Sequence, residues 1–310
     1  MKNGIVFLLS ALIGLFFPFA HAENNAAAGA TAQAATPPQR GMLYRIRHHN
    51  NTAYLFGTIH VGLPSFFPLE PQVTRALTSS SKLVLELDVR DDAPFQAALL
   101  KHGVYAGGDT IERHLSADSV AQLRSTLQKF GLPFENIRHM KPWIVANLLI
   151  GLDLERNGYR RSDGIEMFLL SLIDKQAKTV QELESAEYQM SLFDDMTDAM
   201  QEQYLRENLA ELSDGQALKR AQALIDAWAN ANGKALDDIV RDLPNEKTAS
   251  SEFMRQVLLG KRNPEMANKI EALLKNDKTI FVGIGLLHLV GEQGLPNLLR
   301  ARGYEVEKLY

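Results

Sequence analysis

The sequence predicts an α/β or α+β fold: a mixed central sheet built from N- and C-terminal strands, with a large helical region in the middle. Three observations carry this. Two short apolar runs near opposite ends of the chain each finish in Gly-x-x-His. These are Gly57-Thr58-Ile59-His60 after Ala53–Phe56, and Gly285-Leu286-Leu287-His288 after Thr279–Ile284. A further run, Lys82–Val89, has the continuous apolar front of a strand buried on both faces of a parallel sheet. Most of the chain between carries apolar residues at helical rather than alternating spacing.

Taken in order, the chain opens with Lys2, an apolar stretch from Ile5 to Ala20, and the small-x-small triplet Ala20-His21-Ala22. This is the layout of a secretory signal, so residues 1–22 are expected to be cleaved after Ala22 and the mature protein to be periplasmic. The stretch is shorter than the ~20 residues that span a bilayer, and no second one follows. No stable membrane span is expected after cleavage. Residues 23–40 hold too few large apolar side chains to offset ordering entropy and read as a disordered linker. The folded domain is then 41–310, long enough for a sizeable core. The chain has no cysteine, which excludes disulfides and lipoprotein attachment. Its net charge of −4, with both signs interspersed, leaves no basic stripe for nucleic acid.

Within the domain, Leu43–Arg47 and Thr52–Phe56 flank His48-His49-Asn50-Asn51, a hairpin signal. A helix follows over Pro71–Ser79, then the strand at 82–89. Ser116–Phe130 has an N-cap serine, helical spacing at Val120, Leu123 and Leu127, and a Gly131 stop. Further helices are expected over Pro142–Ile150, Asp163–Gln176 and Ser191–Arg241, the last broken at Gly215 and Gly233. A helix over Pro264–Lys275 leads into the strand Thr279–Ile284. The chain closes with a helix over Gly291–Arg302, a Gly303 stop and a strand Tyr304–Leu309. The echo between the two strand-Gly-x-x-His units leaves open two halves related by a pseudo-twofold.

The tetrads are the candidate site. Glycine lets the chain turn sharply where each strand ends, and the carboxyl ends of strands are where ligands sit in open α/β sheets. His60 and His288 are both placed there, and neutral imidazole suits zinc and other first-row divalent ions. Glu86 interrupts the apolar strand and would be costly to bury unless paired or metal-bound. Two histidines and a carboxylate make a three-ligand site with an open position for water. Asp88, on the same face, is a rival for the role of Glu86. His48, His49, His102, His114 and His139 lack a comparable setting and read as surface or structural. Asp163-Gly164-Ile165-Glu166 is explained by a capping box, with Glu166 a further acidic candidate. Glu182, Glu184 and Glu187 read as a solvated helix face. Arg262-Asn263, before Pro264, reads as the end of one helix and the start of the next, and Arg262 is a candidate for holding a carboxylate or polarising a carbonyl.

These residues form an ordered series that resembles the TraB/GumN family. It comprises Tyr54–Gly62, Leu85-Glu86-Leu87-Asp88, Ser162–Glu166, Leu183–Gln189, Arg262–Ala267 and Phe281–Gly303. The family is similar to Tiki-type metalloproteases and, more distantly, to erythromycin-esterase-like proteins. The resemblance implies a metal-dependent hydrolase-like fold centred on His60, Glu86 and His288. It also implies a divalent metal ion: manganese or cobalt as in Tiki-type proteases, or zinc from the ligand chemistry. Glu166 stands where the family more usually has a shorter Asp. The expected function is an exported metal-dependent hydrolase, a peptidase acting on a peptide or protein through a metal-activated water. Glu86 would be the third ligand or the general base, and the ligand role is favoured because a cation relieves the desolvation of a carboxylate at a buried strand end. A non-catalytic periplasmic peptide- or metal-binding protein, or a small-molecule esterase or amidase, are the alternatives.

Overall fold

The structure, a computed structural model, describes residues 39–310 apart from 175 and 177. The expected signal and nearly all of the linker lie outside the described residues. Six strands form one mixed sheet: β1 (Leu43–His48), β2 (Asn51–Thr58), β3 (Lys82–Leu85), β4 (Thr179–Glu182), β5 (Thr279–Gly285) and β6 (Glu305–Lys308), in the order β4-β3-β5-β2-β1-β6. β1 and β2 are the expected antiparallel hairpin, Leu43 opposite Phe56 and His48 opposite Asn51. β6 adds antiparallel to β1, with the cross-strand ion pairs Arg45–Glu307 and Arg47–Glu305. The other pairings, β2 with β5, β5 with β3 and β3 with β4, are parallel. β5 is central, and Ile280 to Gly285 are buried throughout, as a two-sided parallel strand requires.

The sheet is therefore built from both ends of the chain, and the crossovers are helical. From β3 to β4 the chain forms helices at Asp92–His102, Ala117–Phe130, Pro142–Arg156 and Ile165–Asp174. From β4 to β5 it forms Ala186–Asp194, Asp198–Asp214, Gln216–Ala229, Gly233–Asp242, Ala249–Phe253 and Arg262–Asn276. In Pro142–Arg156 the first nine residues, Pro142–Ile150, are all buried and all apolar except Asn147, whose Oδ1 accepts from Tyr204. Its Trp143 stacks on Phe193 at 5.0 Å between ring centres. Ser116 caps the helix at Ala117, and Gly131 ends it at a left-handed φ of 63°. No helix among the described residues is long and apolar enough to cross a membrane.

The structure departs from the sequence reading in several places. β3 stops at Leu85, so Glu86 and Asp88 lie beyond the strand rather than within it. Gln181 and Glu182 belong to β4, not to a solvated helix, and Glu184 is buried while Glu187 is exposed and paired with Lys101. Arg262 and Asn263 do not separate two helices. A π-helical stretch, Met254–Lys261, runs straight into Arg262–Asn276. Pro264, which has no N–H to donate, sits at that junction. The last helix begins at Leu295 rather than Gly291, because Gly291 takes a φ of 76° and Gly294 becomes the N-cap. The two strand-Gly-x-x-His units turn out to be sheet neighbours, with Gly57 opposite Ile284 and Thr58 opposite Gly285.

Candidate active site

Four parallel strands end at one edge of the sheet, and the chain leaving each carries polar side chains back toward it. β2 delivers His60. Trp228 Nε1 donates to the Gly57 carbonyl at 2.8 Å. A Cβ on Gly57 would lie 2.6 Å from Leu286 Cδ1, so the two tetrad turns pack directly on each other. Past His60 the chain docks on the loop before Glu166. Gly62 and Arg160 exchange backbone hydrogen bonds of 2.9 and 3.0 Å, and Ile165 N–H donates to the Ile59 carbonyl at 3.0 Å. A Cβ on Gly62 would stand 1.9 Å from the Asp163 carbonyl oxygen, and one on Gly164 2.6 Å from that of His60. Only glycine permits this approach. It leaves Glu166 Oε1 2.9 Å from His60 Nδ1. The expected capping box is absent: Asp163 pairs with Arg160 at 2.7 Å, and Glu166 turns to His60.

β3 delivers Glu86. Its Oε1 accepts from Gly285 N–H at 2.6 Å, and its Oε2 takes Arg262 Nη2 at 2.6 Å. Arg262 also holds Glu184, at the end of β4, through Nε at 3.0 Å and Nη2 at 2.6 Å. Gln189 Nε2 bridges both carboxylates, at 3.3 Å to Glu86 and 2.8 Å to Glu184. The parallel ladder itself sets this up, since Leu183 and Glu184 N–H groups donate to the Leu85 and Glu86 carbonyls. β5 delivers His288, wholly buried, with Nδ1 2.5 Å from Asn263 Oδ1 and Nε2 3.8 Å from Glu86 Oε1.

Charge follows from these contacts. Burial alone would raise the pKa of Glu86, but Arg262, the two histidines and the Gly285 N–H outweigh it and bring it down to about 2. Glu86 is an anion at any ordinary pH. Burial also opposes charge on His60, yet Glu166 and Glu86 raise its pKa above the usual histidine value. His288 goes the other way: burial, reinforced by Arg262, pushes it down to about 3. Burial of Glu166 is outweighed by His60, which lowers its pKa.

Two features fit a cation. The Nε2 atoms of His60 and His288 are both buried without a hydrogen-bond partner, where an unsatisfied polar atom costs ~1–3 kcal/mol. Glu86 and Glu184 are buried against the one guanidinium of Arg262, and Glu166 is buried against His60. A cavity of about 10 Å³, lined by Thr58, His60, Leu224, Gly285 and Leu287 among others, has room for one small occupant. Among the described residues no three His, Asp or Glu side chains stand as a ready-made ligand cluster. The donor chemistry, two imidazole Nε2 atoms and a carboxylate, fits a divalent ion.

The structure thus brings together His60, Glu86, Glu166, Arg262 and His288. Asp88 stays outside, its carboxylate taken by Arg90. Arg262 spends its donors on Glu86 and Glu184 rather than facing open space. His102 is engaged by Asp194, and His114 by Asp109 and Asp198, away from the centre. Sequence reasoning missed Glu184, Gln189, Asn263 and Arg161 as participants. Arg161 is half-buried in the turn that leads into the helix carrying Glu166, with Nη1 buried and unpartnered. Burial brings its pKa down to about 10.

Residues 42–308 match the sequence profile of the TraB/PrgY/gumN family. Among curated proteins, the chain is 28% identical to the uncharacterized protein YbaP of Shigella flexneri over 257 residues, 81% of this chain and 89% of that one. It is 24% identical to the metalloprotease TIKI2 of Xenopus tropicalis, covering 89% of this chain and 62% of the relative. It is also 24% identical to human metalloprotease TIKI1, covering 97% and 68%. No solved structure matches the chain.

Proposed function

The chain belongs to the TraB/PrgY/gumN family, and from that premise and the geometry of the site we propose that it is a metal-dependent hydrolase, a peptidase of the exported compartment. The observation that supports this best is the pair of buried, unpartnered Nε2 atoms on adjacent parallel strands, beside a carboxylate that stays ionised. His60 and His288 would hold the ion through Nε2 and Glu86 through Oε1. A divalent ion there supplies Lewis acidity and a nucleophile at neutral pH.

The chain's own residues do the rest. A carboxylate held near a pKa of about 2 is a weak proton acceptor, so Glu86 acts as a ligand and local charge rather than as the general base. Glu184 fixes Arg262, Arg262 fixes Glu86, and Gln189 donates to both carboxylates. With Arg262 occupied, Arg161 is the cation with a spare donor beside His60 and Glu166, suited to a substrate carboxylate or a developing oxyanion. Residues 1–22 deliver the protein to the periplasm in this reading, and the mature chain starts at Glu23. N-terminal sequencing of the fractionated protein checks that, and recovery of Met1 in the membrane fraction refutes it.

The central test is metal analysis of protein purified without chelator or nickel, paired with turnover of a peptide library. Stoichiometric manganese, cobalt or zinc and cleavage, both lost in the His60→Ala, His288→Ala double variant, are expected. Metal without cleavage of any peptide replaces this reading with that of a non-catalytic binding protein. Glu86→Gln is expected to lose metal and activity together. Retained metal with turnover reduced ~10²–10⁴-fold would make Glu86 the base after all.

A further inference from the structure

We infer that Asn263 is a positioning residue that locks His288 in its Nδ1–H tautomer, so that Nε2 presents a bare lone pair to the centre. One carboxamide fixes the ring. Asn263 Nδ2 lies 2.7 Å from the Gln293 carbonyl oxygen, which can only accept. The amide nitrogen must therefore face Gln293, and Oδ1 must face His288. Oδ1 is an acceptor without a proton. At 2.5 Å from Nδ1 it would repel a ring lone pair, so Nδ1 carries the hydrogen. A second proton on Nε2 would be buried with no acceptor in reach, Glu86 Oε1 being 3.8 Å away. Neutral imidazole has one N–H, and Nε2 is left bare.

The anchor is itself held. Gly291 N–H donates to Asp237 Oδ1 at 3.1 Å, and Asn297 Nδ2 to the Gly291 carbonyl at 2.8 Å, which ties down the loop that presents Gln293. The π-helical stretch before Arg262 completes the arrangement, since it delivers two consecutive side chains to two different partners, Arg262 to Glu86 and Asn263 to His288. At His60 the partner facing Nδ1 is instead a carboxylate, Glu166 Oε1 at 2.9 Å, which brings a charge as well as an acceptor. A ring partner of this kind that orients a ligating histidine is worth about 10–100-fold in metal affinity.

The tautomer is independent of the metal reading, because it is measured on metal-free protein; only the affinity arm rests on that reading. Ring ¹⁵N spectra of histidine-labelled protein, assigned with His288→Gln and His60→Gln, are expected to show His288 protonated at Nδ1 and bare at Nε2. Asn263→Asp keeps the acceptor and should keep that pattern. Asn263→Ala, checked for native near-ultraviolet dichroism, should populate the Nε2–H form and bind cobalt ~10–100-fold more weakly, with Asn263→Asp restoring most of the affinity. A wild-type His288 protonated at Nε2 overturns the assignment, even if Asn263→Ala fails to fold. So does a folded Asn263→Ala with an unchanged ring pattern. A switched tautomer with unchanged cobalt affinity leaves the lock but overturns its positioning role.

Discussion

The two Gly-x-x-His units begin alike and end differently. Each puts a histidine just past a parallel strand, with Nε2 unpartnered and turned inward. The first histidine is backed by a carboxylate, Glu166, and is partly exposed, its side chain at 9%. The second is backed by a neutral carboxamide, Asn263, in a short aligned hydrogen bond and is wholly buried. The partner's charge decides what each ring does with a proton. Glu166 favours protonation of His60, whereas His288 has no compensating charge on its Nδ1 side and resists it. Two copies of one local motif thus give one basic, adaptable imidazole and one neutral, fixed one.

The hardest blow to this comparison removes the rings. His60→Ala and His288→Ala should each lose most bound metal, measured by elemental analysis of folded protein. Near-complete occupancy in both single variants would mean that the two rings do not share an ion. The difference between them should appear on acidification. His288 is neutral down to about pH 3, so metal release on lowering pH should follow His60. Replacing Glu166 with Gln, which removes the charge behind His60, should move that release to lower pH. A release midpoint unmoved in Glu166→Gln would break the assignment.

Stability should also separate the rings, with opposite signs. Unfolded His288 takes a proton below its ordinary value near 6.5, while the folded ring waits until about pH 3. The unfolded state binds more protons in that window, so this residue lowers stability as pH falls through it, by up to ~1.4 kcal/mol per pH unit. His60 has a raised folded pKa. Its contribution is fully present below 6.5 and is lost as pH rises through the folded value. Denaturant melts of metal-free wild type and His288→Gln between pH 7 and 5 should show the variant losing less stability. Parallel curves would mean that His288 is not held neutral.

Legibility followed the same divide. Features written in a few neighbouring residues were readable: the hairpin, the Ser116 cap and Gly131 stop, the two tetrads, and Glu86 as a costly charge after an apolar run. Features that depend on which strand lies next to which were not. β4 is short and three of its four residues are exposed, so Thr179–Glu182 carries no apolar signature. Glu184 looks like any surface glutamate until β4 pairs with β3 and sets it against Arg262. Asn263 stood beside a flagged arginine, but only the π-helical stretch, invisible to a 3.6-residue period, directs it to His288. Glu166 matched a capping box in sequence, and the glycine contacts at 62 and 164 turned it elsewhere.

The next effect down probes the docking that serves only the first tetrad. Gly164→Ala places a methyl group 2.6 Å from the His60 carbonyl, and the loop must shift to admit it. Overpacking of this kind costs ~1–3 kcal/mol. The shift also separates Glu166 from His60, so the ¹⁵N signal of His60 should change while that of His288 stays. Equal changes at both rings would show that the two units are not independently built.

The last test concerns Arg161, in the turn that leads into the helix carrying Glu166 and so on the first tetrad's side of the centre. Its half-buried guanidinium keeps one donor unpartnered, and its neighbours Glu166 and Asp92 attract it without binding that donor. Such an arrangement is ready for an incoming anion. Arg161→Gln retains hydrogen-bonding capacity but not charge. If the donor meets a substrate carboxylate that is bound equally in ground and transition states, KM should rise several-fold at unchanged kcat. If it meets charge that develops only in the transition state, kcat should fall instead, by ~10²-fold or more. Metal content should be unaffected in both cases, since Arg161 touches neither Nε2 atom. Unchanged kcat and KM for every cleaved peptide would remove Arg161 from the site and leave its buried donor as a cost of the loop's packing.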